Sequence, residues 1–129
     1  MAAGNRKLAT PPEHWGKAVK IHALADGWLA TGEFGAAVTG FFYASVHYVT
    51  AYLSTKGIRY IASHTMRDSY MANDGVLSTV VVYNSYGDLQ EASEDVRYSV
   101  RNATVTDAKN AAGRARSIRQ VLEPIVCPP

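Results

Sequence analysis

Cysteine is almost missing from this chain: Cys127 is the only one in 129 residues. A lone thiol forms no intramolecular disulfide and builds no cysteine metal cluster, so a reducing, intracellular setting is expected. Long apolar runs are also missing. None approaches the ~20 residues that a bilayer-spanning helix needs, and Met1-Ala2-Ala3-Gly4-Asn5-Arg6-Lys7 lacks the hydrophobic core of a signal peptide. A soluble, cytoplasmic protein with no membrane partner is the expectation. Metal-binding patterns are absent too: there is no HExxH, no CxxC and no facial carboxylate set, and His14 and His22 stand two helical turns apart, too far for one ion. Neither a metal nor a cofactor is expected. Gly32-Glu33-Phe34-Gly35 lacks the lysine and the preceding strand of a phosphate loop, and no Gly-x-Ser-x-Gly elbow occurs.

What remains is an ordinary globular composition, 47% hydrophobic and 19% charged. The formal net charge of +2 is too small to demand a nucleic-acid partner and does not oppose one. The length fits one domain with a core of its own. Residues 1–9 read as a flexible, mildly basic leader, 10–126 as a single helical domain and 127–129 as a tail.

Local signals place the helices. Thr10-Pro11-Pro12-Glu13 is a capping-box start with proline in the first turn, where its missing N–H costs nothing. Trp15, Ala18, His22, Ala25 and Leu29 then share a face, joined by Ile21, Leu24 and Trp28, until Thr31-Gly32 stops the helix. A second helix is expected from about Glu33 to Lys56, with Gly57 as its left-handed C′ residue. The short link makes these two helices antiparallel neighbours. Phe34, Val38, Phe41, Phe42, Ser45, Val49, Tyr52 and Leu53 form a wide apolar face on the second helix, while Tyr43, His47 and Thr50 form another face suited to a pocket or a partner.

Ser63 is placed to cap a short helix ending near Ala72, before Asn73-Asp74-Gly75. Thr79-Val80-Val81-Val82-Tyr83 alone would pass for a buried strand. A lone strand would have no partner, however, and Val82, Tyr86, Leu89 and Val96 keep helical spacing, so Val76 to Tyr98 is expected to be helical. Thr106-Asp107 opens the last helix, whose stripe is Ala108, Ala111, Ala115, Ile118, Leu122 and Ile125. Lys109, Arg114, Arg116 and Arg119 lie off it, as a solvated surface or as phosphate contacts. The sum is an all-α, up-and-down bundle of four long helices and one short one.

Two clusters carry candidate chemistry. His64 and Arg67 stand one turn apart on the short helix and could hold a phosphate; Asp68 could instead pair with either at the surface. Asp95-Val96-Arg97-Tyr98, with Arg101 a turn on, sits at a helix C-terminus, where cations are expected on electrostatic grounds alone. His47, with Tyr43 one turn before it, reads first as a hydrogen-bonded core or interface histidine.

The ordered segments Phe41-Phe42-Tyr43-Ala44-Ser45-Val46-His47, Ala51-Tyr52-Leu53-Ser54-Thr55-Lys56-Gly57-Ile58, Ser63-His64-Thr65-Met66-Arg67, Tyr86-Gly87-Asp88-Leu89 and Ser93-Glu94-Asp95-Val96-Arg97-Tyr98 resemble the HEPN superfamily over about residues 34 to 101. The resemblance implies a helical bundle, commonly a homodimer, with a nucleotide- or RNA-facing cleft. It also implies a frequent nucleotidyltransferase-like protein partner, and in many members metal-independent ribonuclease or toxin–antitoxin activity. The family's catalytic signature is an arginine followed, four to six residues later, by a histidine. Arg97 has no such histidine, and none occurs after His64. RNA self-cleavage needs a group to move protons, which an arginine does not do. The expectation is therefore a non-catalytic bundle that binds a nucleotide or RNA through His64, Arg67, Arg97, Tyr98, Tyr43 and His47. The alternatives are a divergent ribonuclease using His64 with Arg97, and a structural protein-interaction module.

Overall fold

The computed structural model describes residues 8–129; the leader expected at 1–9 therefore falls almost wholly outside the described residues. Leu8 and Ala9 are held at their carbonyls by the Arg59 guanidinium. Five helices follow: α1 (Pro11–Ala30), α2 (Phe34–Thr55), α3 (His64–Ala72), α4 (Val80–Tyr98) and α5 (Val105–Val126). All regular structure among the described residues is helical.

The helix ends follow from local chemistry. Thr10 and Glu13 form the reciprocal capping box that starts α1. Gly32 and Gly57 take positive φ, +83° and +88°, where the chain leaves α1 and α2, a conformation that penalises any Cβ. Ser63 caps α3 by accepting from Met66 N–H.

Two starts differ from expectation. The cap of α5 is Thr104, not Thr106, because Asp107 stands at the third position after Thr104 and closes a second capping box. Helix α4 begins at Val80, not Val76. Asp74 Oδ2 accepts from both Val76 N–H and Leu77 N–H, which turns the chain there and buries Leu77 before the helix begins.

Helix α2 is the centre. Fourteen of its residues are buried, among them Phe41, Phe42, Tyr48, Tyr52 and Leu53. Helices α1, α4 and α5 all pack on it, and α5 also touches both α1 and α4, so the three outer helices wrap α2 on three sides. Helices α1 and α4 form no such pair. That gap leaves one side of α2 open. Thr39, Tyr43, His47 and Thr50, spaced three and four residues apart, are the half-buried positions along it.

The face expected of α1 is only partly the buried one. Trp15, Ala18, His22 and Ala25 are buried, whereas Leu24 is 53% exposed and Ile21 and Trp28 are half-buried at the gap. On α5 the alanine stripe is buried as far as Leu122, but Ile125 emerges beyond Pro124. Val80, Val81 and Tyr83, the strand-like segment, lie exposed on α4 while Val82 is buried. No helix among the described residues is long and apolar enough to cross a membrane.

Candidate functional site

The open side of α2 is a groove with two chemically different ends. Near the α1–α2 turn it is apolar, an open recess of about 670 Å³ edged by Ile21, Leu24 and Trp28 of α1, floored by Gly40 and Tyr43 of α2, and closed by Val96 of α4. Toward the other end of α2 the groove becomes basic and imidazole-rich.

Tyr43 joins the recess to Arg97. The Arg97 guanidinium donates to Tyr43 Oη over 3.4 Å, lies 6.0 Å from the Tyr43 ring centroid and 5.2 Å from that of Tyr98, and donates through Nε to the Ser93 carbonyl. Tyr98 itself is 79% exposed. An arginine set near two tyrosine rings at the surface offers charge beside aromatic faces.

One residue earlier on α2, Phe42 turns into the core and meets His64, with centroids 6.1 Å apart, and Tyr86 at 5.7 Å. Arg67 turns back along α3 to His64 Nδ1 at 3.1 Å. Asp68, the alternative partner, makes no ion pair within 4.0 Å among the described residues. Arg67 also lies near enough to Tyr86 to offset part of the burial effect that pushes the Tyr86 hydroxyl up to about 12. Tyr86 Oη nevertheless has no partner in hydrogen-bonding geometry.

His47 does not fit the hydrogen-bonded histidine expected of it. Its Nδ1 is buried with no hydrogen-bond partner among the described residues, and so is Arg67 Nε. An unpaired buried polar atom costs about 1–3 kcal/mol, so two at one place need a reason. The His47 imidazole stacks on His14 at 6.2 Å. Burial, then the positive charges of Lys17, His14 and Arg67, push its pKa down to about 4. His14 is lowered as well, by burial and then by Lys17 and Arg59, against a small opposing effect of Glu13. His22, the other histidine of α1, is fully engaged in the core, where its Nδ1 meets Tyr48 Oη at 2.8 Å.

The candidate residues thus fall into two sets, His64–Arg67 on α3 and Arg97–Tyr98 on α4. They reach adjacent positions of α2, Phe42 and Tyr43 respectively. Of the other expected phosphate contacts, Arg114 is paired with Asp88 at 3.0 Å and Arg119 with Glu123 at 3.4 Å, whereas Lys109 and Arg116 make no ion pair among the described residues; Arg101 bridges Asp95 and Asp107. Arg67 and Arg97 have no carboxylate partner among the described residues either.

Sequence reasoning missed His14, Lys17, Trp28 and Val96 as neighbours of the site. Their only signal was the short α1–α2 link, which folds α1 back along α2 and sets His14 beside His47. No group of three or more His, Cys, Asp or Glu side chains capable of holding a metal ion occurs among the described residues. Comparison with family models, with curated proteins and with solved structures gives no match.

Proposed function

We infer that this chain is a HEPN-like helical bundle that binds a nucleotide or RNA along the open side of α2, as a binding protein and not a catalyst. The observation that carries this reading is that Arg67 and Arg97 border that open side with no carboxylate partner among the described residues, each set among aromatic or imidazole rings. Guanidinium groups suit phosphate oxygens, and tyrosine rings suit unstacked bases. The apolar recess by Trp28 and Tyr43 gives a base somewhere to go. In this reading exposed apolar side chains such as Leu24 and Val100 offer surface to a second copy or to a nucleotidyltransferase-type partner.

The test is titration with nucleotides and short single-stranded RNAs at low salt, where phosphate contacts are strongest. Binding is expected, and Arg67→Ala combined with Arg97→Ala is expected to abolish it. No affinity in the wild type, or an unaffected double variant, refutes the reading.

One arrangement favours a second reading, a divergent metal-independent ribonuclease. His64 rests on Phe42 while Arg97 reaches the next residue, Tyr43, so a proton-transferring imidazole and a charge-stabilising guanidinium flank one short stretch of α2. Cleavage of labelled RNA in the presence of chelator, lost in His64→Ala, would establish it. Equal inertness of wild type and variant, with no growth arrest when either is expressed, eliminates it.

A further inference from the structure

The recess beside the α1–α2 turn is a cleft between two helices that rest on α2 and form no packed pair with each other. Small residues of α2 bring its walls close. A Cβ at Gly40 would stand 3.0 Å from the Trp28 ring of α1, and one at Gly35 would stand 3.4 Å from Val96 Cγ1 of α4, so both walls lean on glycine backbone. The space between them is about 670 Å³, inside the range of roughly 300–1,000 Å³ typical of small-molecule sites. Its lining is almost wholly apolar.

At one corner the chemistry changes. Tyr43 lines the recess and accepts from the Arg97 guanidinium at 3.4 Å, and Val96, the residue before Arg97, closes the recess. Arg97 has no carboxylate within 4.0 Å among the described residues. An apolar cleft with such a guanidinium beside it complements a molecule with an apolar body and one negative end.

We propose that the recess binds a small aromatic carboxylate, its ring against Trp28 and Tyr43 and its carboxylate on the Arg97 guanidinium. Two aromatic side chains in the lining favour a ring over a flexible chain, and the planar guanidinium matches a carboxylate with two parallel hydrogen bonds. A nucleobase can enter the same space but fits it less well, because its edge nitrogens and oxygens find few partners on an apolar lining and cost free energy when buried unpaired. The aromatic carboxylate therefore goes beyond the nucleotide reading and does not depend on it.

The probes are 2-naphthoate, its neutral counterpart 2-naphthamide, adenosine 5′-monophosphate and a single-stranded RNA hexamer. Each is titrated by calorimetry, with the Trp28 indole and the Ile21, Leu24 and Val96 methyl signals followed by NMR. 2-Naphthoate is expected to shift those signals and to bind at least about tenfold more tightly than 2-naphthamide. Arg97→Gln should erase that preference, while Arg116→Gln, which removes an equal charge from an exposed position of α5, should keep it. Ala36→Phe sets a ring into the recess from an exposed position of α2 and should block both naphthyl probes without lowering the melting temperature. Equal affinity for the two naphthyl probes, an unchanged preference in Arg97→Gln, or binding that leaves the Trp28 signal unmoved refutes the site. A dimer in sedimentation that Leu24→Glu dissociates would show a second copy covering the recess and overturns it as well. If the nucleotide or the RNA binds through Arg97 and neither naphthyl probe binds, the nucleotide reading stands and the carboxylate site falls. If 2-naphthoate behaves as expected and neither the nucleotide nor the RNA binds, the site stands and the nucleotide reading falls.

Discussion

Tyr52 Oη donates a 2.8 Å hydrogen bond to Asp74 Oδ2, tying the end of α2 to the loop between α3 and α4. The same carboxylate accepts from Val76 N–H and Leu77 N–H and pairs with Lys56 Nζ at 3.2 Å. Burial works against its charge, but the Leu77 N–H, the Tyr52 hydroxyl, the Val76 N–H and the Lys56 ammonium together hold its pKa below the ordinary value. One carboxylate thus ends a loop, starts the path into α4 and anchors both to the central helix.

Asp74→Ala is accordingly expected to destabilise the fold by about 1–3 kcal/mol, and Tyr52→Phe by about 1 kcal/mol. Urea unfolding measures both. Amide exchange should quicken first around Val76 and Leu77 in the Asp74 variant; uniform quickening along the chain would show that the anchor is not local.

Gly40 and Gly87 are both helical glycines, yet alanine should act on them in opposite directions. A Cβ at Gly40 would stand 3.0 Å from Ala25 Cβ and 3.0 Å from the Trp28 ring, whereas at Gly87 nothing lies within 4 Å. Gly40→Ala is expected to cost about 1–3 kcal/mol by prising α1 from α2. Gly87→Ala should add roughly 0.5–1 kcal/mol of helix stability. Thermal denaturation of the two single variants distinguishes the cases.

The buried pair of His22 and Tyr48 gives a third expectation. Tyr48→Phe leaves the His22 ring nitrogen without its 2.8 Å partner in a site that is 6% exposed. A loss of about 1–3 kcal/mol should follow. Adding His22→Leu should recover part of it, because the orphaned polar group is then gone; a double-variant cycle measures the coupling.

Acid should weaken the fold through His47. Its folded pKa of about 4 lies below the 6.5 of an unperturbed histidine, with burial the largest cause. The unfolded chain therefore binds the proton first as pH falls, and the stabilisation present above pH 6.5 is lost progressively toward pH 4. Discounted for the solvent screening of a partly exposed ring, this single group contributes at most about 1–2 kcal/mol over that interval. His47→Gln should flatten that part of the stability–pH curve.

What was legible in the sequence and what was not follows the range of the interactions. The capping box of Thr10 and Glu13, the left-handed Gly57 and the Ser63 cap are made within a few residues, so the sequence reveals them directly. The start of α5 was misplaced by two residues because Thr104 and Thr106 both suit a cap, and only the Asp107 side chain turning back to Thr104 N–H decides between them. The start of α4 depended on Asp74 being held by Tyr52 from another helix, which no local pattern contains.

The same division applies to the site. The periodicity of α2 already separated Tyr43, His47 and Thr50 from the apolar face, because a 3.6-residue repeat assigns residues to faces whatever the neighbours are. It could not say what would cover that second face. Only the packing of α1, α4 and α5 on three sides leaves it open, and only the antiparallel return of α1 brings His14 and Lys17 to His47. The sequence by itself determined the helices and the sidedness of the central one, since both arise from contacts between near neighbours in the chain. The tertiary structure alone decided which charges remain without a carboxylate, because that depends on distances between residues far apart in sequence.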